Sequence, residues 1–212
     1  MTRLFGSALL GLAGLAIIAT GAMAGVPDPT NSDVNSGDLV IVGSNTGLAL
    51  GSAGRFGTSV VGDGFRVEVR DVGNNPLQGA HVTLDYTNTG GTNPAKPYTT
   101  QIDGSTVSCP VVDLLTDVNG VALFTPQAGG FDNNPTIEVR ANGVLLALVE
   151  GRSADMNGDG INDTGDLSFF ATNFLLNDTA PESDFNLDGI TDTGELSIFA
   201  TDFLAAIAGA IC

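Results

Sequence analysis

Across the middle of the chain, apolar residues fall in short runs or alternate with polar ones. The runs are Leu39–Val42, Phe65–Val69, Val82–Tyr86, Val121–Phe124, Ile137–Val139 and Val144–Val149. Such runs, bounded by turn residues, predict strands rather than helices. The turn signals between them are Gly62-Asp63-Gly64, Gly73-Asn74-Asn75-Pro76, Asn119-Gly120, Asn133-Asn134-Pro135 and Asn142-Gly143. The last predicts a two-residue hairpin with a type I′ turn, because Asn and Gly both tolerate the positive φ that this turn requires. Roughly seven strands over about a hundred residues predict an all-β sandwich spanning 38–150.

Near residue 155 the period changes. Leu167, Phe170, Ala171, Phe174 and Leu175 follow helical spacing, and Leu196, Phe199, Ala200, Phe203 and Leu204 repeat it. The repeat extends upstream: 155–175 and 184–204, offset by 29, are identical at 15 of 21 positions. Each copy opens on a twelve-residue loop with oxygen-bearing residues at positions 1, 3, 5, 9 and 12. In the first loop these are Asp155, Asn157, Asp159, Asp163 and Asp166; in the second, Asp184, Asn186, Asp188, Asp192 and Glu195. Position 7, Ile161 or Ile190, would add a main-chain carbonyl, leaving its side chain free to point inward. Gly160 and Gly189 stand at position 6, where the chain must turn sharply. A hard cation such as Ca²⁺ takes six to eight oxygens, which this pattern supplies. Two Ca²⁺ ions are therefore expected. Asp166 and Glu195 also suit the first turn of the helix that follows.

The segments entering the loops are not helical: Asn177–Ser183 is polar and contains Pro181, and Glu150–Ala154 is short. Each unit is thus a loop followed by a helix, and the tandem pair over 153–212 resembles a dockerin domain. The resemblance covers about 50 residues and implies a Ca²⁺-dependent module that docks onto a cohesin-like domain of another protein. It departs from the family at position 8, where Asn162 and Thr191 replace the usual apolar residue. The Asp-Gly-Ile-x-Asp run is also similar to thrombospondin type 3 calcium repeats, but those lack the helix. The dockerin resemblance further implies two partner-contacting patches: Thr164, Phe169 and Thr172 on the first helix, and Thr193, Ile198 and Thr201 on the second.

Charge sharpens this picture. The formal net charge is −17, which argues against nucleic-acid binding. From Ser153 to Cys212 there are eleven acids and no Lys or Arg. Eight of them are the proposed ligands, so two divalent cations would relieve most of the local repulsion. Metal binding is expected to be coupled to folding of 153–208, with the β-domain independent of it.

At the N-terminus, Arg3, the apolar Leu4–Ile18 and the small-residue site Ala22-Met23-Ala24 predict a secretion signal over 1–24. The apolar stretch is thin for a membrane span and contains three Gly. A Pro- and Asn-rich lead-in follows over 25–37. The mature protein is expected to be secreted or held at the cell surface, with no membrane span.

Within the sandwich, Val67–Leu84 contains Pro76-Leu77-Gln78-Gly79-Ala80-His81-Val82-Thr83-Leu84, and a second stretch reads Thr116-Asp117-Val118-Asn119-Gly120-Val121-Ala122-Leu123-Phe124-Thr125. Both resemble bacterial Ig-like domains of invasin and intimin type. That resemblance implies display or spacing and brings no catalytic residues. No Gly-x-Ser-x-Gly elbow, His-Glu-x-x-His or Walker loop occurs, and the single His, His81, has no motif around it. Cys109 and Cys212 form an even pair, which in an oxidising compartment suggests a disulfide, though spacing leaves separate thiols or an interchain bond open.

The expected protein is an Ig-like β-sandwich followed by a small α-helical, dockerin-like calcium-binding domain. It would be an exported, non-catalytic attachment protein. Alternatives are a structural or adhesive surface protein in which Ca²⁺ only stabilises the fold, and an accessory subunit of a polysaccharide-degrading complex. The absence of Trp and the presence of only two Tyr argue against stacking on sugars.

Overall fold

The computed structural model describes residues 25–34, 39–41, 65–101, 103–176, 179–185, 188–205 and 210–212. The expected secretion signal, residues 35–38, Val42 of the first expected strand, the expected Gly62-Asp63-Gly64 turn and Asn186 lie outside the described residues. The fold is mostly β-sheet with two short helices. In chain order the strands are β1 (Asp33–Val34), β2 (Leu39–Ile41), β3 (Phe65–Glu68), β4 (His81–Asp85), β5 (Lys96–Pro97) and β6 (Thr106–Ser108). There follow β7 (Val111–Leu115), β8 (Val121–Phe124), β9 (Ala128–Gly129), β10 (Phe131–Ala141) and β11 (Val144–Ser153). The helices are α1 (Thr164–Leu176) and α2 (Thr193–Ala205).

The strands form a three-stranded sheet, β1-β3-β8, a six-stranded sheet, β2-β11-β10-β4-β7-β6, and the pair β5-β9. β2 runs parallel to β11, whereas the other pairs are antiparallel. Alternation puts Phe65 and Val67 of β3 and Ala122 and Phe124 of β8 on an inner face. Val82 and Leu84 of β4, Val112 of β7 and Ile137 and Val139 of β10 meet them in one apolar core. Full burial of side chains this size stabilises by about 1.5–3 kcal/mol each. The Asn142-Gly143 turn has φ of 45° and 82°, and Ala141 pairs with Val144 across it. That hairpin is as the sequence predicts.

Asn133-Asn134-Pro135 behaves differently from expectation. These residues do not end a strand; they fall in an irregularity inside β10, between Asp132, which pairs with Gly151, and Ile137, which pairs with Val149. A bulge absorbs the Pro, which has no N–H for the ladder. β6 and β7 were not among the expected strands. In β7 only Val112 is fully buried and Leu115 is exposed, so no alternation marks it.

β11 continues to Ser153, through the expected junction between the two parts of the chain, and delivers Asp155 directly into the first loop. Among the described residues, the second loop is entered through a single 3-10 turn, Pro181–Ser183. A separate apolar cluster joins the helices: Ala154, Met156, Phe170, Phe185 and Phe199 are buried, with Phe174, Ile198 and Phe203 packed on them. The Phe170 and Phe199 rings stack with centroids 4.7 Å apart, and Phe185 lies 6.2 Å from Phe170. Leu167, Leu175 and Leu196, expected in this core, are exposed. Two helices around one aromatic stack bury only a narrow stripe each, and the rings fill it. Cys109 and Cys212 are disulfide-bonded, with Cα atoms 5.3 Å apart.

Candidate metal centre

The two loops repeat one hydrogen-bonding scheme. At position 1, Asp155 Oδ2 accepts from Gly160 N–H at 2.9 Å, and Asp184 Oδ2 accepts from Gly189 N–H at 3.0 Å. Both glycines have φ near +90° (89° and 92°), a conformation that other residues resist. At position 12, Asp166 Oδ2 accepts from Asp163 N–H at 2.9 Å and Glu195 Oε2 from Asp192 N–H at 2.8 Å. Position 12 thus caps its helix while its carboxylate is folded back over the loop. Asp159 and Asp188 at position 5 each accept from the N–H two residues on.

Burial is divided the same way in both loops. Asp155, Asp166, Asp184 and Glu195 are buried, whereas Asp159, Asp163, Asp188 and Asp192 are exposed and Asn157 is half-buried. Burial pushes the Asp155 carboxyl up to about 6, against the hydrogen bond it receives from Tyr98, and repulsion from Asp166 adds to the rise. Burial likewise raises Asp166, Asp184 and Glu195. A cation placed among such carboxylates would offset the cost of ionising them.

The second loop meets that need most directly. Asp184, Asp188 and Glu195 each bring a carboxylate oxygen within 4.8 Å of the others. Glu195 is fully buried, and its Oε1 has no hydrogen-bond partner. A buried acceptor without a donor costs about 1–3 kcal/mol, and more when charged, unless an ion or water meets it. In the first loop, Asp166 is one carbon shorter than Glu195. Both its oxygens are taken by backbone, Oδ1 by Asn157 N–H at 3.0 Å and Oδ2 by Asp163 N–H. Among the described residues, the first loop brings no three carboxylates equally close.

Ile161 and Ile190 do not point inward, contrary to the sequence expectation. Both are exposed, while the position 8 residues, Asn162 and Thr191, are 3% and 2% exposed. Neighbouring side chains of extended backbone face opposite ways, so placing position 8 inside turns position 7 outside. The buried polar residues are tethered: Asn162 Nδ2 donates to Asp202 Oδ2 of α2 at 3.0 Å, and Thr191 Oγ1 donates to Ala180 O at 3.3 Å.

Sequence reasoning missed the partners supplied from outside the loops. Tyr98 O–H donates to Asp155 Oδ2 at 2.9 Å. Gly129 lies so close that a Cβ there would overlap the Asp155 carboxylate. The buried Arg152 donates from Nη1 to Asp184 O at 3.0 Å and from Nη2 to Glu150 Oε2 at 2.7 Å. Tyr98 is 57 residues from Asp155, and no local pattern could join them. Met156 and Phe185 did carry a signal, an apolar residue at position 2 of both loops.

No family model, curated protein or solved structure matches the chain.

His81 lies elsewhere, on β4, where its Nδ1 is 2.8 Å from Asp113 Oδ2 of β7. Thr83 is the residue opposite Asp113, so the His81–Asp113 contact is a diagonal cross-strand pair. It borders a shallow depression lined by Gly104, Thr106, Leu114 and Leu115.

Proposed function

We propose that the loop–helix pair is a dockerin-like module that holds two Ca²⁺ ions and attaches the exported protein to a cohesin-like partner. In this reading the β-sheet part is an Ig-like sandwich that acts as spacer or display module. The observation that carries it is the buried, partnerless Glu195 Oε1 beside Asp184 and Asp188. Arg152 Nη1 lies 3.9 Å from Asp184 Oδ2, one cation against three converging carboxylates; a divalent cation would balance the rest, and oxygen-only ligands favour Ca²⁺ over softer metals. Asp184, Asp188, Asp192 and Glu195 would hold the second ion, with Asn186 and the Ile190 carbonyl completing the sequence pattern. Asp155, Asn157, Asp159, Asp163, Asp166 and the Ile161 carbonyl would hold the first.

The test is calorimetric titration with Ca²⁺. The native chain takes up two ions, and Asp184→Ala combined with Glu195→Gln leaves one. Failure of the native chain to bind Ca²⁺ would refute the reading. Attachment is tested by capture of cohesin domains with and without chelator; no capture in Ca²⁺ removes the docking role, and capture indifferent to chelator removes its Ca²⁺ dependence.

One observation favours the alternative in which Ca²⁺ serves the fold. Asp155 is enclosed by the β-sheet part through Tyr98 and Gly129, so the first ion would sit at an internal seam.

A further inference from the structure

We propose that the first metal site is a joint product of the β-sheet part and the loop–helix part, with Tyr98 as the residue that positions Asp155. This rests on the metal-binding reading above and adds to it. Three sets of contacts meet at Tyr98. Its hydroxyl, buried with the rest of the side chain, donates to Asp155 Oδ2, the oxygen that Gly160 N–H also holds. Two donors on Oδ2 fix the carboxylate plane and leave Oδ1 turned toward the Gly158 and Asp159 amides of the loop.

The second set is main chain. Gly130 N–H donates to Asp155 O at 2.7 Å, and Ser153 Oγ donates to Ala128 O at 2.8 Å. Tyr98 N–H donates to Gln127 O at 2.9 Å, so the segment bearing Tyr98 and the segment touching Asp155 are themselves bonded. The third set closes from the C-terminus. Thr99 N–H donates to Ala210 O at 2.7 Å, Cys212 N–H donates to Pro97 O at 3.0 Å, and the disulfide fastens Cys212 to Cys109. Both ends of the loop–helix part therefore converge on Pro97–Thr99. The second loop is met from the β-sheet part by a guanidinium: Arg152 Nη1 donates to Asp184 O at 3.0 Å and lies 3.9 Å from Asp184 Oδ2.

Partners that orient a metal ligand through hydrogen bonds typically contribute about 10–100-fold to metal affinity. Loss of the Tyr98 hydroxyl should weaken one Ca²⁺ step by that factor and leave the other unchanged. A spectroscopic readout separates positioning from general support. Tb³⁺ occupies oxygen sites suited to Ca²⁺ and emits when a tyrosine beside it is excited. The chain has two Tyr and no Trp.

In the full disulfide-bonded chain, tyrosine-excited Tb³⁺ emission should persist in Tyr86→Phe and in Asp184→Ala/Glu195→Gln. It should vanish in Tyr98→Phe, whose Tb³⁺ remains visible by direct excitation at raised concentration. If direct excitation detects no bound Tb³⁺ in the native chain, the metal reading itself falls. If Tb³⁺ binds but tyrosine-excited emission survives Tyr98→Phe, or disappears with the second-loop variant, the joint site is refuted while the metal reading stands. Should Tyr98→Phe fail to fold, the native chain still decides: its tyrosine near-ultraviolet difference spectrum must saturate with one Ca²⁺ of the two. A spectrum that follows both ions equally, or neither, overturns the proposal.

Discussion

Position 8 of each loop shows how a single residue type redirects packing. Asn162 and Thr191 are buried where the resembled family carries apolar side chains. Each therefore takes a hydrogen bond in place of an apolar contact, Asn162 to Asp202 on α2 and Thr191 to Ala180. Restoring the family's preference at this site should be harmful. Asn162→Leu removes the donor that meets a 3%-exposed carboxylate and adds apolar volume beside it. The expected loss is about 1.5–3 kcal/mol, the worth of a hydrogen bond to a charged group. Thermal unfolding in saturating Ca²⁺ measures it, and an equal or higher Tm would show that the Asn162–Asp202 contact contributes nothing.

At the scale of elements, the duplication is visible in sequence but its two halves are not equivalent. The ligand pattern, both helices and the hairpin at Asn142-Gly143 were legible because each is local: a fixed spacing, a period of 3.6 or a pair of residues fit for positive φ. β5, β6 and β9 were not, since strands of two or three residues have no period to read. The inward stripe was legible at Phe170 and Phe199 and misread at Leu167 and Leu196, because spacing alone does not say how wide a face is covered. The same asymmetry separates Phe169 from Ile198. Phe169 is 47% exposed, whereas Ile198 packs partly buried against the aromatic cluster. Phe169→Ser should leave stability within about 0.5 kcal/mol of the native protein, as exposed substitutions do, while Ile198→Ser should destabilise by more than about 1 kcal/mol. Chemical denaturation of the two variants at fixed Ca²⁺ checks this. Matched effects would restore the two helices to equivalence. If docking uses this face, Phe169 with Thr164 and Thr172 is the better displayed patch.

At the scale of the whole molecule, the sequence suggests two parts that stand alone, because composition changes abruptly at Ser153. The contacts argue for one cooperative unit. β11 carries the chain from the six-stranded sheet into Asp155 without a linker, and Tyr98, Gly129 and Gly130 of the β-sheet part enclose the same residue. The disulfide adds a closure spanning 103 residues of sequence. In the chain-entropy account, a loop that long stabilises by about 4–5 kcal/mol. The short Glu150–Ala154 junction and the even Cys pair were legible in sequence; the contacts of Tyr98, Gly129 and Gly130 with Asp155 were not, since each joins segments more than twenty residues apart. Removal of Ca²⁺ should therefore reach beyond the helices. Burial raises the carboxyls of both Asp155 and Asp166, so on the metal-binding reading proposed above the seam would lose, with the cation, the charge that offsets them. Chelation of the native chain should lower the unfolding temperature of the β-sheet signal together with that of the helical signal, in a single transition. Cys109→Ser with Cys212→Ser should loosen the C-terminal tie and split that transition in two, the helical signal melting first. Far-ultraviolet circular dichroism, followed at wavelengths weighted toward helix and toward sheet, reads both. A β-sheet signal that melts at the same temperature with and without chelator would show the two parts to be independent.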